Sequence, residues 1–131
     1  MKVGDISSLT KVFTKEDIVK FSGFSLDSNP IHFDESYAAN TQFKACIAQG
    51  PMVASLIGGV LGSRLPGNGT IYLSQSSKFL KAVFVNDEVT AHVQISNIRI
   101  DKPIITLRTW VTNQHNEIIL DGEAVVLYLK P

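Results

Sequence analysis

The second half of the chain alternates between hydrophobic and polar residues, which is typical of β-strands with one buried face. The alternating positions of two successive segments are Val89, Ala91, Val93, Ile95, Ile105, Leu107, Thr109 and Val111. The segments "TIYLSQSSKFLKAVF", "HNEIIL" and "GEAVVLYLK" are also rich in strand-forming residues, and residues 5–13 fit a short first strand. Short turns between the long strands predict an antiparallel meander. Trp110 is expected in the core or at a subunit interface.

A second pattern lies in the middle of the chain, where "GPMVASLIGGVLGSRLPG" carries no charge from Pro51 to Ser63. This segment predicts a helix that is buried on every side and is too short to span a bilayer. We expect Gly50 at the N-cap and Pro51 at the first helical position, where a missing N–H costs nothing. Close backbone approach to the surrounding sheet is expected at its glycines, Gly58, Gly59 and Gly62.

Two shorter helices are predicted before this segment. "TKEDIVKFSGFS" has Thr14 as a plausible N-cap, and "DESYAANT" begins after Asp34, another capping residue. Together with one buried helix and one curved antiparallel sheet, they give an α+β chain. A sheet wrapped around a single hydrophobic helix is the hot-dog fold. The length of 131 residues predicts one such domain over 1–131.

Composition narrows the classes of function. Lys plus Arg and Asp plus Glu both number 12, so the chain carries no broad electrostatic footprint for nucleic acid or an anionic membrane. The lone Cys46 excludes an internal disulfide, and no Cys/His spacing indicates zinc. The first residues lack the apolar core of a signal peptide, which favours a cytoplasmic location.

Candidate chemistry is concentrated in "FSLDSNPIHFDE", which places Asp27, Asn29 and His32 around a proline turn. Pro30 fixes its own φ and biases Asn29 toward extended geometry, so the turn can bring the carboxylate and the imidazole together. Such a pair can hold a water molecule for proton transfer. The alternative is ordinary turn chemistry, with Asp27 as an Asx cap and His32 as a half-buried, hydrogen-bonded histidine.

Three stretches together resemble a known family over nearly the whole chain, from about residue 10 onward. They are "SLDSNPIHFDESYAANTQF", "IAQGPMVASLIGGVLGSRLPGNGTIYLSQSSKF" and "AVFVNDEVT". The first is similar to the D-x-N-P-I/L-H-x-D motif of the MaoC-like hydratases, and the chain most resembles the single-domain (R)-specific enoyl-CoA hydratases. The resemblance implies a hot-dog fold, a homodimer and a trans-2-enoyl thioester substrate.

The resemblance also implies roles for individual residues. Asp27 and His32 match the catalytic acid/base pair. Asn29 matches the amide that helps hold the site together and is assigned to substrate binding. Gly50 matches the glycine whose N–H contacts the thioester oxygen, although it can also be read as a helix N-cap. The family usually has His-Gly-Met where this chain has Gln49-Gly50-Pro51, and this departure can alter the oxyanion site and the chain-length preference.

The function expected on these grounds is reversible hydration of trans-2-enoyl-CoA to (3R)-3-hydroxyacyl-CoA. Two alternatives stay open: dehydration of an acyl-carrier-protein thioester, and a non-catalytic acyl-thioester binder. A thioesterase on the same fold is disfavoured by the hydratase motif. No metal or cofactor is expected, because the coenzyme A thioester is the substrate. Polyester-monomer supply and fatty-acid metabolism are both compatible pathways.

Overall fold

The structure is a computed structural model, and it describes residues 1–129. Its sheet has five strands: β1 (Ile6–Val12), β2 (Thr70–Phe79), β3 (Glu88–Ile98), β4 (Ile104–Thr112) and β5 (Ile118–Tyr128). Their order is β1-β3-β4-β5-β2, and every neighbouring pair is antiparallel. The predicted meander is confirmed in β3, β4 and β5. The segments "HNEIIL" and "GEAVVLYLK" both contribute to the single strand β5, and Lys130 lies outside the described residues.

Three helices precede β2: α1 (Lys15–Ser25), α2 (Glu35–Ala39) and α3 (Gly50–Ser63). Thr14 caps α1 in a capping box with Asp17, in which each side chain bonds the backbone N–H of the other residue. Asp34 caps α2 by accepting the N–H of Tyr37. Both predicted caps are therefore confirmed.

The core lies between α3 and the inner face of the curved sheet. The buried residues of α3 are Met52, Val53, Ile57, Val60 and Leu61. They pack into one cluster with the inward residues of β3 and β4. Each of these inward strand residues is at most 2% exposed. Burying side chains of this size is worth about 1.5–3 kcal/mol each, so this contact is the main source of stability. The hot-dog arrangement that the sequence predicts is thus the observed fold.

Two expectations for α3 are wrong in detail. The helix begins at Gly50, so Gln49 is the N-cap and Pro51 occupies the second helical position. The helix is also not buried on every side, because the sheet of one chain covers a single face. Pro51, Ser55 and Gly62 are exposed on the other face. None of the helices within residues 1–129 is long and apolar enough to cross a membrane.

The glycines of α3 do not mark close backbone approach either. A Cβ built on Gly58 would lie 3.6 Å from the Tyr72 ring, and one on Gly59 would lie 3.8 Å from Leu9, both ordinary contacts. Gly62 would meet nothing within 4 Å. Tight positions lie elsewhere, at Gly69 beside the Leu129 carbonyl and at Gly122 in β5, where a Cβ would collide with the backbone of β2. Gly58 and Gly59 face side chains and Gly62 faces open space, whereas adjacent strands bring backbone against backbone.

Trp110 lies outside the core, half-buried on the outer face of the sheet, so the first of its two predicted locations is wrong and the subunit interface stays a prediction. The physical reason is the alternation itself, since Thr109 and Val111 on either side point inward. The indole stacks on His92 with ring centroids 5.0 Å apart, and the Arg108 guanidinium lies 4.3 Å from its ring. Partial burial in this stack lowers the pKa of His92.

Truncation of the central helix tests the role of this core. Ile57 is fully buried, and Ile57→Ala should lower the free energy of unfolding by about 2–5 kcal/mol, because it leaves a cavity as well as losing apolar burial. Urea unfolding followed by Trp110 fluorescence measures this. Ser63→Ala, at the exposed end of the same helix, should change stability by less than about 0.5 kcal/mol. Equal effects of the two substitutions would contradict the central role of α3.

Candidate active site

The end of α1 determines the position of Asp27, whose side chain stays 39% exposed. The helix is closed by Leu26, whose φ of 65° is left-handed and whose N–H donates to the Ser22 carbonyl. The Ser22 hydroxyl in turn donates to the backbone carbonyl of Asp27. A left-handed leucine costs about 1–2 kcal/mol, and this one is 84% exposed, so its own burial does not offset that cost. The conformation turns the chain sharply and places Asp27 beside the following turn.

His32 ends a 3-10 turn formed by Pro30–His32, and its side chain is only 8% exposed. Its Nδ1 lies 2.7 Å from the carbonyl oxygen of Ile47. Its Nε2 lies 3.2 Å from Oδ2 of Asp27. The structure thus brings the two residues of the sequence motif into contact, with the imidazole held from its far side by backbone.

These contacts define where the protons can be. A carbonyl oxygen only accepts, so Nδ1 of His32 must donate to Ile47. In a neutral imidazole the lone pair is then on Nε2, which faces the Asp27 carboxyl group. Two bare acceptors 3.2 Å apart repel, so the pair is stable when it shares a proton or when one water donates a hydrogen to each. The arrangement is therefore suited to taking a proton from water.

Asn29 restrains both members of the turn. Its backbone N–H donates to Oδ1 of Asp27 at 3.0 Å, and its side-chain oxygen accepts the N–H of Ile31 at 3.2 Å. The two interpretations of Asp27 from the sequence are therefore compatible. Oδ1 forms the Asx cap, while Oδ2 faces His32. The Asn29 side chain acts on the turn itself, which agrees with a role in holding the site together.

Gly50 is the first residue of α3, where backbone N–H groups have no partner within the helix. Within residues 1–129, the Gln49 side chain makes no capping hydrogen bond to this end, and Pro51 has no N–H. The free donors of the first turn are consequently few, and Gly50 supplies one of them. A Cβ on Gly50 would lie 3.2 Å from the Phe79 ring, so the aromatic ring packs directly over the glycine.

Two separate cavities open beside these groups. One of about 420 Å³ is lined mainly by apolar residues, among them Gly50, Phe43, Ile47 and Phe79. Another of about 400 Å³ is lined by His32, Cys46 and Phe84 and by several charged side chains. Both sizes fall in the range of small-molecule sites. His32 and Gly50 thus line different cavities of the single chain, although the segment from Ile47 to Gly50 joins them.

Several contributors to this site carry no signal in the sequence. Ile47 acts through its backbone carbonyl, which any residue could supply. Phe79 is placed by the pairing of β2 with β5. By contrast, Tyr72 and Gln75 lie in one of the stretches that carry the family resemblance, and they form a hydrogen bond beside a third cavity, of about 390 Å³. Burial raises the pKa of Tyr72 to about 12, so its phenol stays protonated and can donate. No three His, Cys, Asp or Glu side chains in the described part of the chain lie close enough to hold a metal ion.

Comparison with known proteins identifies the family. The model of the MaoC like domain matches residues 6–116. The chain belongs to the MaoC-like family. An (R)-specific enoyl-CoA hydratase of Aeromonas caviae is 45% identical over 126 residues, covering 96% of this chain and 94% of the relative. Another of that name, from Rhodospirillum rubrum, is 42% identical and covers 97% and 88%. This MaoC-like chain is accordingly an enzyme of the lyase class, as the sequence predicts.

A solved structure agrees with these relatives. The (R)-hydratase from A. caviae involved in PHA biosynthesis superimposes with a TM-score of 0.96 at 44% identity, covering 98% of both chains. This MaoC-like chain therefore shares its hot-dog fold with that structure over 98% of its length. The predicted resemblance to the MaoC-like hydratases is confirmed.

The contact between Gly50 and Phe79 can be tested by paired substitutions. Gly50→Ala should lower the melting temperature by a few degrees, because the new Cβ forces the ring to move. Phe79→Leu removes the facing ring edge, so adding Gly50→Ala to that variant should change the melting temperature very little. Thermal unfolding of the four proteins measures this coupling. Strictly additive effects would contradict direct packing of the ring on the glycine.

Proposed function

We propose that this protein is an (R)-specific enoyl-CoA hydratase that reversibly hydrates trans-2-enoyl-CoA to (3R)-3-hydroxyacyl-CoA. The observation that carries the proposal is the contact of 3.2 Å between Asp27 and His32, with the far nitrogen of the imidazole held by Ile47. An acid/base pair fixed in this way serves proton transfer, which a passive acyl-thioester binder does not require. The similarity to relatives of that name supports the same reaction.

In the proposed mechanism the Asp27–His32 pair accepts one proton from water and delivers one proton to the substrate. His32 Nε2 removes a proton from water while the water oxygen bonds the C3 carbon of the substrate. Asp27 orients that water through Oδ2. A proton returns from the pair to the C2 carbon, so hydroxyl and hydrogen add across the double bond and the pair regains its starting state. General acid–base assistance of this kind is typically worth about 10²–10⁴ in rate.

The negative charge that develops on the thioester oxygen needs preorganised donors. The N–H of Gly50 fills this role in the proposal, assisted by the positive end of the α3 dipole. With no side chain on Gly50, a thioester can approach the N–H closely. Losing one such donor costs about 2.7–4 kcal/mol in acyl-transfer enzymes, and a similar order is expected here. Asn29, at the start of the turn that carries His32, is proposed as a further substrate-binding residue.

Remaining parts of the proposal concern the substrate carrier and the setting. Lys15 and Lys44 line the His32 cavity, and Lys81 lines the Gly50 cavity. Lys81 is ion-paired with Glu117, whereas the ammonium groups of Lys15 and Lys44 suit the phosphate of a phosphopantetheine arm, which is common to coenzyme A and acyl carrier protein. The reaction requires no metal or cofactor.

The free, buried thiol of Cys46 suits a reducing compartment such as the cytoplasm. One domain spanning residues 1–131 would contain all of these groups.

We also propose that the protein works as a homodimer joined through β2. This strand is an edge of the sheet, and Ile71, Tyr72 and Leu73 on it are each 44–51% exposed. An exposed apolar edge strand favours pairing with another strand. The exposed face of α3 lies beside it, because Ala54, Ser55 and Tyr72 line one cavity. A second copy would cover both surfaces at once.

The proposed chemistry predicts the effect of removing either member of the pair. Asp27→Asn and His32→Ala should each lower kcat/KM for crotonyl-CoA at least about 100-fold while the proteins stay folded. Loss of enoyl absorbance measures the rate, and an (R)-specific dehydrogenase reads the product configuration. As a control, His115→Ala, which replaces an exposed histidine, should leave the rate unchanged. Full activity in either Asp27 or His32 variant would sink the mechanism, and turnover of only carrier-protein thioesters would favour the dehydratase alternative.

The dimer proposal predicts a specific failure of assembly. Leu73→Lys places a charge on the exposed part of β2 and should shift the protein to a monomer in light scattering. The matched control is Ile6→Lys on β1, the other edge strand, where the isoleucine is 57% exposed. A dimer that persists in the first variant and dissociates in the second would place the interface at β1 instead.

A further inference from the structure

Gln49 is buried in a way that calls for a physical explanation. Only 1% of the residue is exposed. Its Nε2 donates to the backbone carbonyl of Ile18 at 3.0 Å, while its Oε1 has no hydrogen-bond partner within residues 1–129. Burying an amide with one unsatisfied oxygen costs about 1–3 kcal/mol. An apolar side chain of similar length would avoid this cost, so the amide is expected to have a use other than stability.

The position of Gln49 along the chain shows what the amide connects. It follows Ile47, whose N–H donates to Ile31 and whose carbonyl holds His32. It also precedes Gly50, the proposed oxyanion donor. The four residues from Ile47 to Gly50 therefore contact the imidazole of His32 at one end and begin α3 at the other. The Gln49 side chain adds a third connection, to α1.

The connection to α1 leads toward Asp27. Ile18 lies one helical turn before Ser22, and the hydroxyl of Ser22 donates to the backbone carbonyl of Asp27. The hydrogen bond from Gln49 consequently fixes α1, whose end leads into Asp27, relative to the Ile47–Gly50 segment, which holds His32 through the Ile47 carbonyl. Ile18 is itself fully buried in the core cluster, so this attachment point is held by packing on all sides.

We propose that Gln49 is a positioning residue that sets the distance between the acid/base pair and the oxyanion donor at Gly50. The inference rests on the proposed hydratase function, and it assigns Gln49 no contact with substrate. The required feature is a hydrogen-bond donor directed at the Ile18 carbonyl. Displacements of about 1 Å between reacting groups can cost about 100-fold in rate, so a single buried hydrogen bond can matter to turnover.

Three substitutions separate the donor from the volume of the side chain. Gln49→Met keeps the length and removes the donor, so kcat should fall about 10–100-fold with KM changed less than about threefold. Gln49→His restores a ring N–H and should recover most of kcat. Gln49→Glu cannot donate while ionised. Because a buried carboxyl without a cation favours the protonated form, its activity relative to wild type should rise as pH is lowered from 8 to 5.5.

Gln94 provides the matched control. Its side-chain amide also donates to a backbone carbonyl, that of Gly4, but it lies on the outer face of β3. Gln94→Met and Gln94→Glu should leave kcat, KM and the pH profile as in wild type. A role of Gln49 in packing alone predicts full kcat in Gln49→Met and no pH-dependent recovery in Gln49→Glu, and that result would overturn the inference.

The outcomes also separate this inference from the proposed function. Failure of the wild-type protein to hydrate any enoyl thioester would reject the function without reference to Gln49. The backbone amide resonances of Ile47 and Gly50 then serve as the readout. Shifts in Gln49→Met that return toward wild type in Gln49→His support positioning. Unmoved resonances overturn it. If Gln49→Met does not fold, the Gln49→His and Gln49→Glu pair still tests the need for a donor through the pH profile.

Discussion

The hydrogen bond from His32 to the carbonyl of Ile47 is the interaction on which the candidate site depends. It fixes the rotation of the imidazole, determines which nitrogen faces Asp27, and joins the Asp27–His32 turn to the chain that enters α3. The bond is possible because the Ile47–Gly50 segment is itself held in the core, with the N–H of Ala48 bonded to Val83 at 2.7 Å. The buried face of α3 anchors that segment against the sheet. Stability of the core and geometry of the site therefore have a common origin.

Asp27 illustrates how a short segment serves structure and chemistry together. One carboxylate oxygen closes the turn through the N–H of Asn29, which leaves the other oriented toward His32. A carboxylate whose rotation is limited by its own backbone loses little further entropy when it acts on a bound molecule. The left-handed Leu26 before it carries a local cost that the surrounding contacts of α1 offset.

Much of this architecture is readable from side-chain chemistry. The caps at Thr14 and Asp34, the alternation along β3 and β4, and the proximity of Asp27 to His32 all follow from residue types at fixed spacing. Features that depend on backbone atoms, or on which surfaces the sheet leaves uncovered, cannot be predicted from residue types in this way. The carbonyl of Ile47 has no side-chain signature, the outward position of Trp110 depends on register, and the exposed face of α3 depends on how far one sheet can wrap. The tether of Gln49 to Ile18 spans 31 positions of sequence, beyond the reach of local pattern.

The seam between β5 and β2 has a consequence for how this chain can change. Gly122 faces the Ser76 carbonyl so closely that no side chain fits between the strands. Position 122 is therefore closed to substitution even though it lies outside the proposed catalytic groups. Diversification of this enzyme, by nature or by directed evolution, has to proceed around a fixed glycine that no map of the active site would mark as essential.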